Sequence, residues 1–214
     1  MKVLVGCEFS GIVRQAFRDK GHDAWSCDIL PAEDNSPFHY QCDIFEILDK
    51  DWDLMVAHPP CTYLTNAGVR HLHEDVISKN GVRAKIYGKV RMALMEQAAK
   101  FFHALLNCRI PKVAIENPIP HKYAKAIIGS YQQIIQPWHF GEEQTKAVCL
   151  WLKNLPKLVP TNIVGPPPKK MTQEQKRKWH RVHYMPPSKN RSKERSRFFK
   201  GIAAGMADQW GLAC

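Results

Sequence analysis

At 214 residues the chain is long enough for one well-buried α/β domain and too short for that domain plus a second of full size. A hydrophobic fraction of 44% with 24% charged residues is ordinary for a globular protein, and no apolar run approaches the length of a bilayer, so a membrane protein is not expected. The net charge of +11 is unevenly placed: residues 169–200 hold twelve Lys or Arg against Glu174 and Glu194, a balance of +10 that leaves +1 for all the rest.

Met1-Lys2-Val3-Leu4-Val5 is apolar too briefly for a signal peptide, and a cytoplasmic protein is expected. Lys2 to Val5 reads as a short buried strand, followed by a turn through Gly6 to Gly11 and a helix from about Ile12 to Lys20 that Gly21 stops. Further strands are expected at Asp23 to Cys27, ending at Asp28; at Asp53 to Ala57, ending in His58-Pro59-Pro60-Cys61; and at Val113 to Ile115, ending in Glu116-Asn117-Pro118. Polar residues therefore recur at the carboxyl ends of short apolar strands, where open parallel α/β sheets hold their ligands. Residues 66–84 read as a long polar loop. Val90 to Asn107 reads as an amphipathic helix with Met95, Ala98, Phe102 and Leu105 on its buried stripe. Two more strands are expected near Gln132 to Gln136 and Ala147 to Leu152.

Gly165-Pro166-Pro167-Pro168 breaks regular structure, opens the basic segment and is echoed by Pro186-Pro187. A last helix is expected from about Gly201 to Trp210. The implied organisation is a core over 1–164, a basic Pro-interrupted segment over 165–200 and a carboxy-terminal helix over 201–214 that packs back on the core. The basic segment has the electrostatic footprint of a polyanion-binding surface; a solvated arm is the alternative. Lys176, Arg177, Lys178, Arg181, Arg191 and Arg195 are its candidate nucleic-acid contacts, with Trp179, His180, His183 and Tyr184 as rings that could stack on an unpaired base.

The seven cysteines form an odd set without a Cys-x-x-Cys pair, which argues against a disulfide framework and a thiolate zinc site; most are expected to be reduced and buried. His71 and His73 lack the spacing of metal ligands, and no metal is expected. Cys61 is different, because two prolines fix its backbone at the mouth of the sheet, and a thiolate suits addition to an electron-poor ring carbon. Glu116, at the end of another strand, could neutralise the charge such an addition leaves on a pyrimidine ring. The turn Cys7-Glu8-Phe9-Ser10-Gly11 is of the kind that receives a nucleotide-like ligand, although it lacks both the Gly-x-Gly-x-x-Gly fingerprint and a phosphate loop. Asp28 closes the second strand, where a carboxylate can accept hydrogen bonds from ribose hydroxyls.

In chain order, Phe9-x-Gly11, Asp28, Asp43, Pro59-Pro60-Cys61, Glu116-Asn117 and Phe140-Gly141-x-x-Gln144-x-Lys146 resemble the motifs of DNA cytosine-C5 methyltransferases, in particular the short forms of bacteriophages and prophages. The resemblance implies a Rossmann-like class I methyltransferase fold, a mostly parallel sheet with helices on both faces, and a reduced or absent target-recognition domain. It implies S-adenosylmethionine as methyl donor, contacted by Phe9, Gly11, Asp28, Asp43 and Pro59. Cys61 would be the nucleophile, Glu116 would hold the base, and Lys146 would keep one charge of the family's Gln-x-Arg-x-Arg pattern. DNA is the implied partner, either duplex with the target base flipped or single-stranded. The sequence departs from the family at Val13, at Thr62 and above all at Val148, where the pattern has an arginine. Two alternatives stand beside this reading: a DNA-binding homologue with weak chemistry, and an enzyme that modifies cytosine in single strands or free nucleotides. An amino-group methyltransferase fits less well, since Cys61 stands where those enzymes carry an aromatic.

Overall fold

The computed structural model describes residues 1–73, 86–188 and 191–212. Its strands are β1 (Lys2–Gly6), β2 (Asp23–Asp28), β3 (His39–Gln41), β4 (Leu54–Ala57), β5 (Lys112–Asn117), β6 (Gln133–Ile135) and β7 (Val148–Lys153). They form one sheet in the order β3-β2-β1-β4-β5-β7-β6. The pairs from β3 through β5 are parallel, and β7 runs antiparallel to both neighbours. This is the Rossmann-like α/β fold expected from the sequence. The reversal at β7 has a local cause: the β6–β7 link holds only a 3-10 turn, Pro137–His139, and lacks the crossover helix that a parallel return requires.

The helices are α1 (Ile12–Asp19), α2 (Gly88–Leu106), α3 (Lys122–Ile128), α4 (Gln173–Trp179), α5 (Arg181–Tyr184), α6 (Arg191–Ser196) and α7 (Lys200–Gly211). Alternate strand residues feed two cores, one on each face of the sheet. Val3, Val5, Leu54 and Val56 pack with α1 and α7, whereas Leu4, Met55, Val113 and Ile115 pack with α2. Because both faces are covered, the central strands are apolar throughout, which is why they are legible as short unbroken runs. Among the described residues no helix is long and apolar enough to cross a membrane.

The structure departs from several expectations. The buried stripe of α2 is Met95, Ala99, Phe102 and Leu105, with Ala98 only half-buried. Residues 66–72 of the expected loop form a 3-10 helix, and 74–85 lie outside the described residues. Of the six described cysteines, all free, only Cys27 and Cys149 are buried. The later part of the basic segment is anchored, because Val182, Phe198 and Phe199 are buried in the α1/α7 core and Trp179 is buried as well, whereas residues 165–178 are exposed or half-buried.

Helix α7 locks that core through two glycines. A Cβ at Gly201 would stand 1.9 Å from the Phe140 carbonyl oxygen, and one at Gly205 would stand 2.9 Å from the Phe140 ring. The Gly201 N–H donates to Glu142 (2.9 Å), so the Phe140-Gly141-Glu142 stretch serves α7 as a dock. At the far end Trp210 is fully buried, its Nε1–H donating to the Pro156 carbonyl (3.0 Å). Trp210→Ala is expected to cost about 3–5 kcal/mol, read as a fall in the urea midpoint with the denaturant slope unchanged.

Candidate active site

The carboxyl ends of the parallel strands place the predicted residues in a row. Register pairs Gly6 with Cys27 on one side and with Ala57 on the other, and Ala57 with Ile115. The next residues out are therefore Asp28, the last residue of β2, Cys7 after β1 and His58 after β4, with Glu116 beside His58 within β5. Thus Asp28 and the Cys61–Glu116 pair come to one edge of the sheet from separate strands.

The turn after β1 is held from inside. Glu8 is buried and accepts from the backbone N–H groups of Val13 (2.7 Å) and Arg14 (3.1 Å), so the amino end of α1 already has its anion. That leaves no place for a phosphate there. Gly11 adopts φ 69°, and a Cβ on it would meet the Arg14 guanidinium at 2.3 Å. Arg14 is itself fully buried, donates to Ser26 Oγ (3.0 Å) and pairs with Asp34. Neither Glu8 nor Arg14 stands out as functional in the sequence. The signal they do leave there is a charged pair flanking Gly11 at the first strand-helix turn.

The expected donor-side residues differ in character. Phe9 is buried, with Lys193 5.1 Å above its ring, and Pro59 is buried as well. Asp28 is half-buried and accepts from the Leu30 N–H (2.9 Å); burial raises its pKa against that bond and the charge of His39. Asp43 is exposed and caps a 3-10 turn, accepting from the Phe45 N–H (3.0 Å). A cavity of about 40 Å³ lies among Cys7, Glu8, Phe9, Ser10, His58, Ser196 and Phe198. Small-molecule pockets run to about 300–1,000 Å³, so a nucleoside-sized ligand fits only if the lining moves, and Ser196 and Phe198 belong to that lining. A larger hollow of about 200 Å³ lies at the opposite ends of the strands, where Trp25 and Tyr40 already stack on each other.

Glu116 is buried, and its Oε2 lies 3.2 Å from His58 Nδ1. Burial alone would raise the carboxyl's pKa, but the His58 hydrogen bond and the Lys146 charge outweigh it and leave the group below its ordinary range. Oε1 of Glu116 and Oδ1 of Asn117 are buried without partners among the described residues. Cys61 is half-buried; its pKa is raised by burial and by Glu116, against the opposing pull of Lys146 and Arg195. Lys146 Nζ donates to the Arg195 carbonyl (3.3 Å) and sits 5.6 Å over Phe199. Arg195, expected as a DNA contact, therefore comes to the cysteine. Val148 does not: it is the first residue of β7 and fully buried.

A raised thiol pKa means less thiolate at a given pH. Alkylation of Cys61 by iodoacetamide, followed by peptide mass mapping, should be slow at pH 7 and rise about tenfold per pH unit without levelling off below the ordinary thiol value. Lys146→Gln should move that curve to higher pH, because a cation that favours the thiolate is gone.

The other basic residues are unevenly available. Lys178 pairs with Glu143, Arg181 donates to Gln144 (3.4 Å) and Arg191 donates to the Met185 carbonyl (2.9 Å). Trp179 is buried and cannot stack on a base, whereas His183 and Tyr184 are exposed.

No family model matches the sequence, and no curated protein matches it. Among solved structures, a protein described as a DNA modification methyltransferase encoded within an E. coli prophage is similar at 15% identity and a TM-score of 0.46, over 76% of this chain and 51% of its own. A methyltransferase of Entamoeba histolytica is similar at 14% identity and a TM-score of 0.47, over 76% of this chain and 57% of its own. The match thus spans little more than half the length of either structure. The functional reading rests on the site's own chemistry.

Proposed function

We propose that this protein is an S-adenosylmethionine-dependent methyltransferase acting on C5 of cytosine in DNA through a covalent Cys61 adduct. The observation that carries the reading is the meeting of Cys61 and Glu116 at the carboxyl ends of adjacent parallel strands, with Lys146 bearing electrostatically on both. A thiol, a buried carboxyl with a vacant oxygen and a flanking ammonium are the groups that addition to a pyrimidine ring needs.

In this reading residues 1–164 form the catalytic core, 165–200 contact DNA and 201–214 close the core. Phe9, Gly11, Asp28, Asp43 and Pro59 would hold the donor, whose sulfonium supplies an electrophilic methyl group when bound. They fit in placement, since they end or follow β1, β2, β3 and β4 at the carboxyl edge of the sheet, and the small cavity there must widen at Ser196 and Phe198 to admit the donor. Cys61, having lost its proton to solvent, adds its electron pair to C6 of a cytosine. As the ring electrons shift towards C5, N3 takes a proton from solvent, and the Glu116 carboxylate faces N3 and the exocyclic amine, where it accepts from both and stabilises the protonated ring nitrogen. Once C5 carries the methyl group, loss of the C5 proton to solvent restores the 5,6 double bond and expels the Cys61 thiolate, and N3 returns its proton to solvent. Lys146 and Arg195 favour the thiolate at both its appearances.

The buried Val148 favours a second reading, a DNA-binding homologue with weak chemistry, since that position offers no guanidinium to the base. One experiment separates the two: incubate the protein with methyl-labelled donor and mixed single- and double-stranded DNA, then digest and identify the labelled nucleoside. Label in 5-methyl-2′-deoxycytidine supports the proposal. Donor and DNA binding without label supports the second reading, and label on an exocyclic amine would defeat the cysteine mechanism.

A further inference from the structure

His58 is the first residue past β4, and register sets it beside Glu116. Its ring is walled by Phe198 at 4.6 Å between centroids, and its side chain is only 11% exposed. Nδ1 lies 3.2 Å from Glu116 Oε2, while His58 Nε2 and Glu116 Oε1 are both buried without partners among the described residues. The contact has one sensible polarity. Glu116 is held ionised, a carboxylate only accepts, and so Nδ1 carries the hydrogen. With Oε2 occupied in this way, the carboxyl cannot rotate without breaking a buried hydrogen bond.

We propose that His58 is the positioning residue for the pyrimidine: its Nδ1–H fixes the Glu116 carboxyl so that Oε1 stays turned towards the ring edge of the bound base. The inference rests on the proposed transfer reaction and adds to it a residue that touches Glu116 rather than the substrate. His58 also borders the cavity beside Phe9 and Ser10. The same imidazole thus stands between the donor side and the base side, and the two halves of the site share one rigid wall. A buried carboxylate oxygen without a partner is costly unless a ligand completes it, and an exocyclic amine or a protonated ring nitrogen is the ligand chemistry that would.

The test compares His58→Asn, whose amide can still donate near the Nδ1 position, with His58→Leu, which keeps bulk and loses the donor. His58→Leu should lower kcat about 100-fold, as misplacement of a reacting group by about 1 Å does, measured at saturating donor because His58 also borders the donor-side cavity. His58→Asn should recover most of that loss. Glu116→Gln and His58→Leu should be non-additive, the double variant being no slower than Glu116→Gln alone. A His58→Leu enzyme with wild-type kcat, or strict additivity, would overturn the inference while leaving the transfer reaction standing. Imidazole nitrogen NMR of the whole protein, with His58 assigned from the His58→Asn spectrum, gives an arm independent of turnover. It should show a protonated Nδ1 that shifts in Glu116→Gln, and a bare Nδ1 would overturn the inference even if the wild-type protein transferred nothing.

Discussion

Cys61→Ala is expected to abolish methyl transfer, by about 10⁴-fold or more, while donor binding and the unfolding midpoint stay close to wild type. The asymmetry comes from placement. Cys61 lies past the end of β4, half-buried and outside both hydrophobic cores, so removing its sulfur opens no interior cavity. The same deletion takes away the one protein atom in the proposed scheme that bonds to the ring. Neighbouring thiols do not substitute: Cys7 is buried enough to push its pKa up to about 12, with Asp28 and Asp43 adding to the effect. DNA containing 5-fluorocytosine should convert the wild-type protein, in the presence of donor, into a covalent complex through Cys61, because fluorine cannot leave as the C5 proton does. Near-normal turnover by Cys61→Ala would end the covalent mechanism.

The central sheet and the row of polar strand ends are legible in the sequence because buried parallel strands are written as short apolar runs, and the residue that ends each run falls at the ligand edge. Pairing is what the sequence withholds. β3 is a three-residue edge strand, His39-Tyr40-Gln41, with no apolar alternation; it exists through its register with β2 and is invisible to periodicity. Helix α3 runs seven residues from a His121 cap that accepts from the Ala124 N–H, too short to show a 3.6-residue stripe. The reversal of β7 depends on the missing crossover helix. In the site, Cys61 and Glu116 stand out in the sequence as polar residues at the carboxyl ends of apolar runs, but the His58–Glu116 contact requires knowing that Ala57 pairs with Ile115. Arg195 reaches the cysteine only because Phe198 and Phe199 pin the end of the basic segment into the core. Charge runs read from sequence carry no such anchor.

Neutralising Lys176, Arg177, Lys178 and Arg181 together is expected to weaken binding to all duplex sequences alike and to flatten its salt dependence. If about five basic residues reach phosphates, log affinity falls against log salt with a slope near −4.5, which is about a 500-fold loss between 50 and 200 mM salt. The four do not contribute equally. Lys176 and Arg177 lie on α4, whereas Lys178 must first give up Glu143 and Arg181 must give up Gln144. Two or three phosphate contacts are therefore the expected loss, leaving a slope near −2 and a salt effect of about 16-fold over the same range. Fold should survive, because none of the four is buried, while the buried Trp179 and Val182 that anchor this stretch stay in place. Donor affinity should not move, since the donor-side residues end or follow β1, β2, β3 and β4 and none of the four substituted positions is among them. Fluorescence anisotropy titrations of a labelled duplex at four salt concentrations measure the slope directly. An unchanged slope in the quadruple variant would place the DNA surface elsewhere, and the cations already at the site mouth, Lys146, Lys193 and Arg195, would be the next to neutralise.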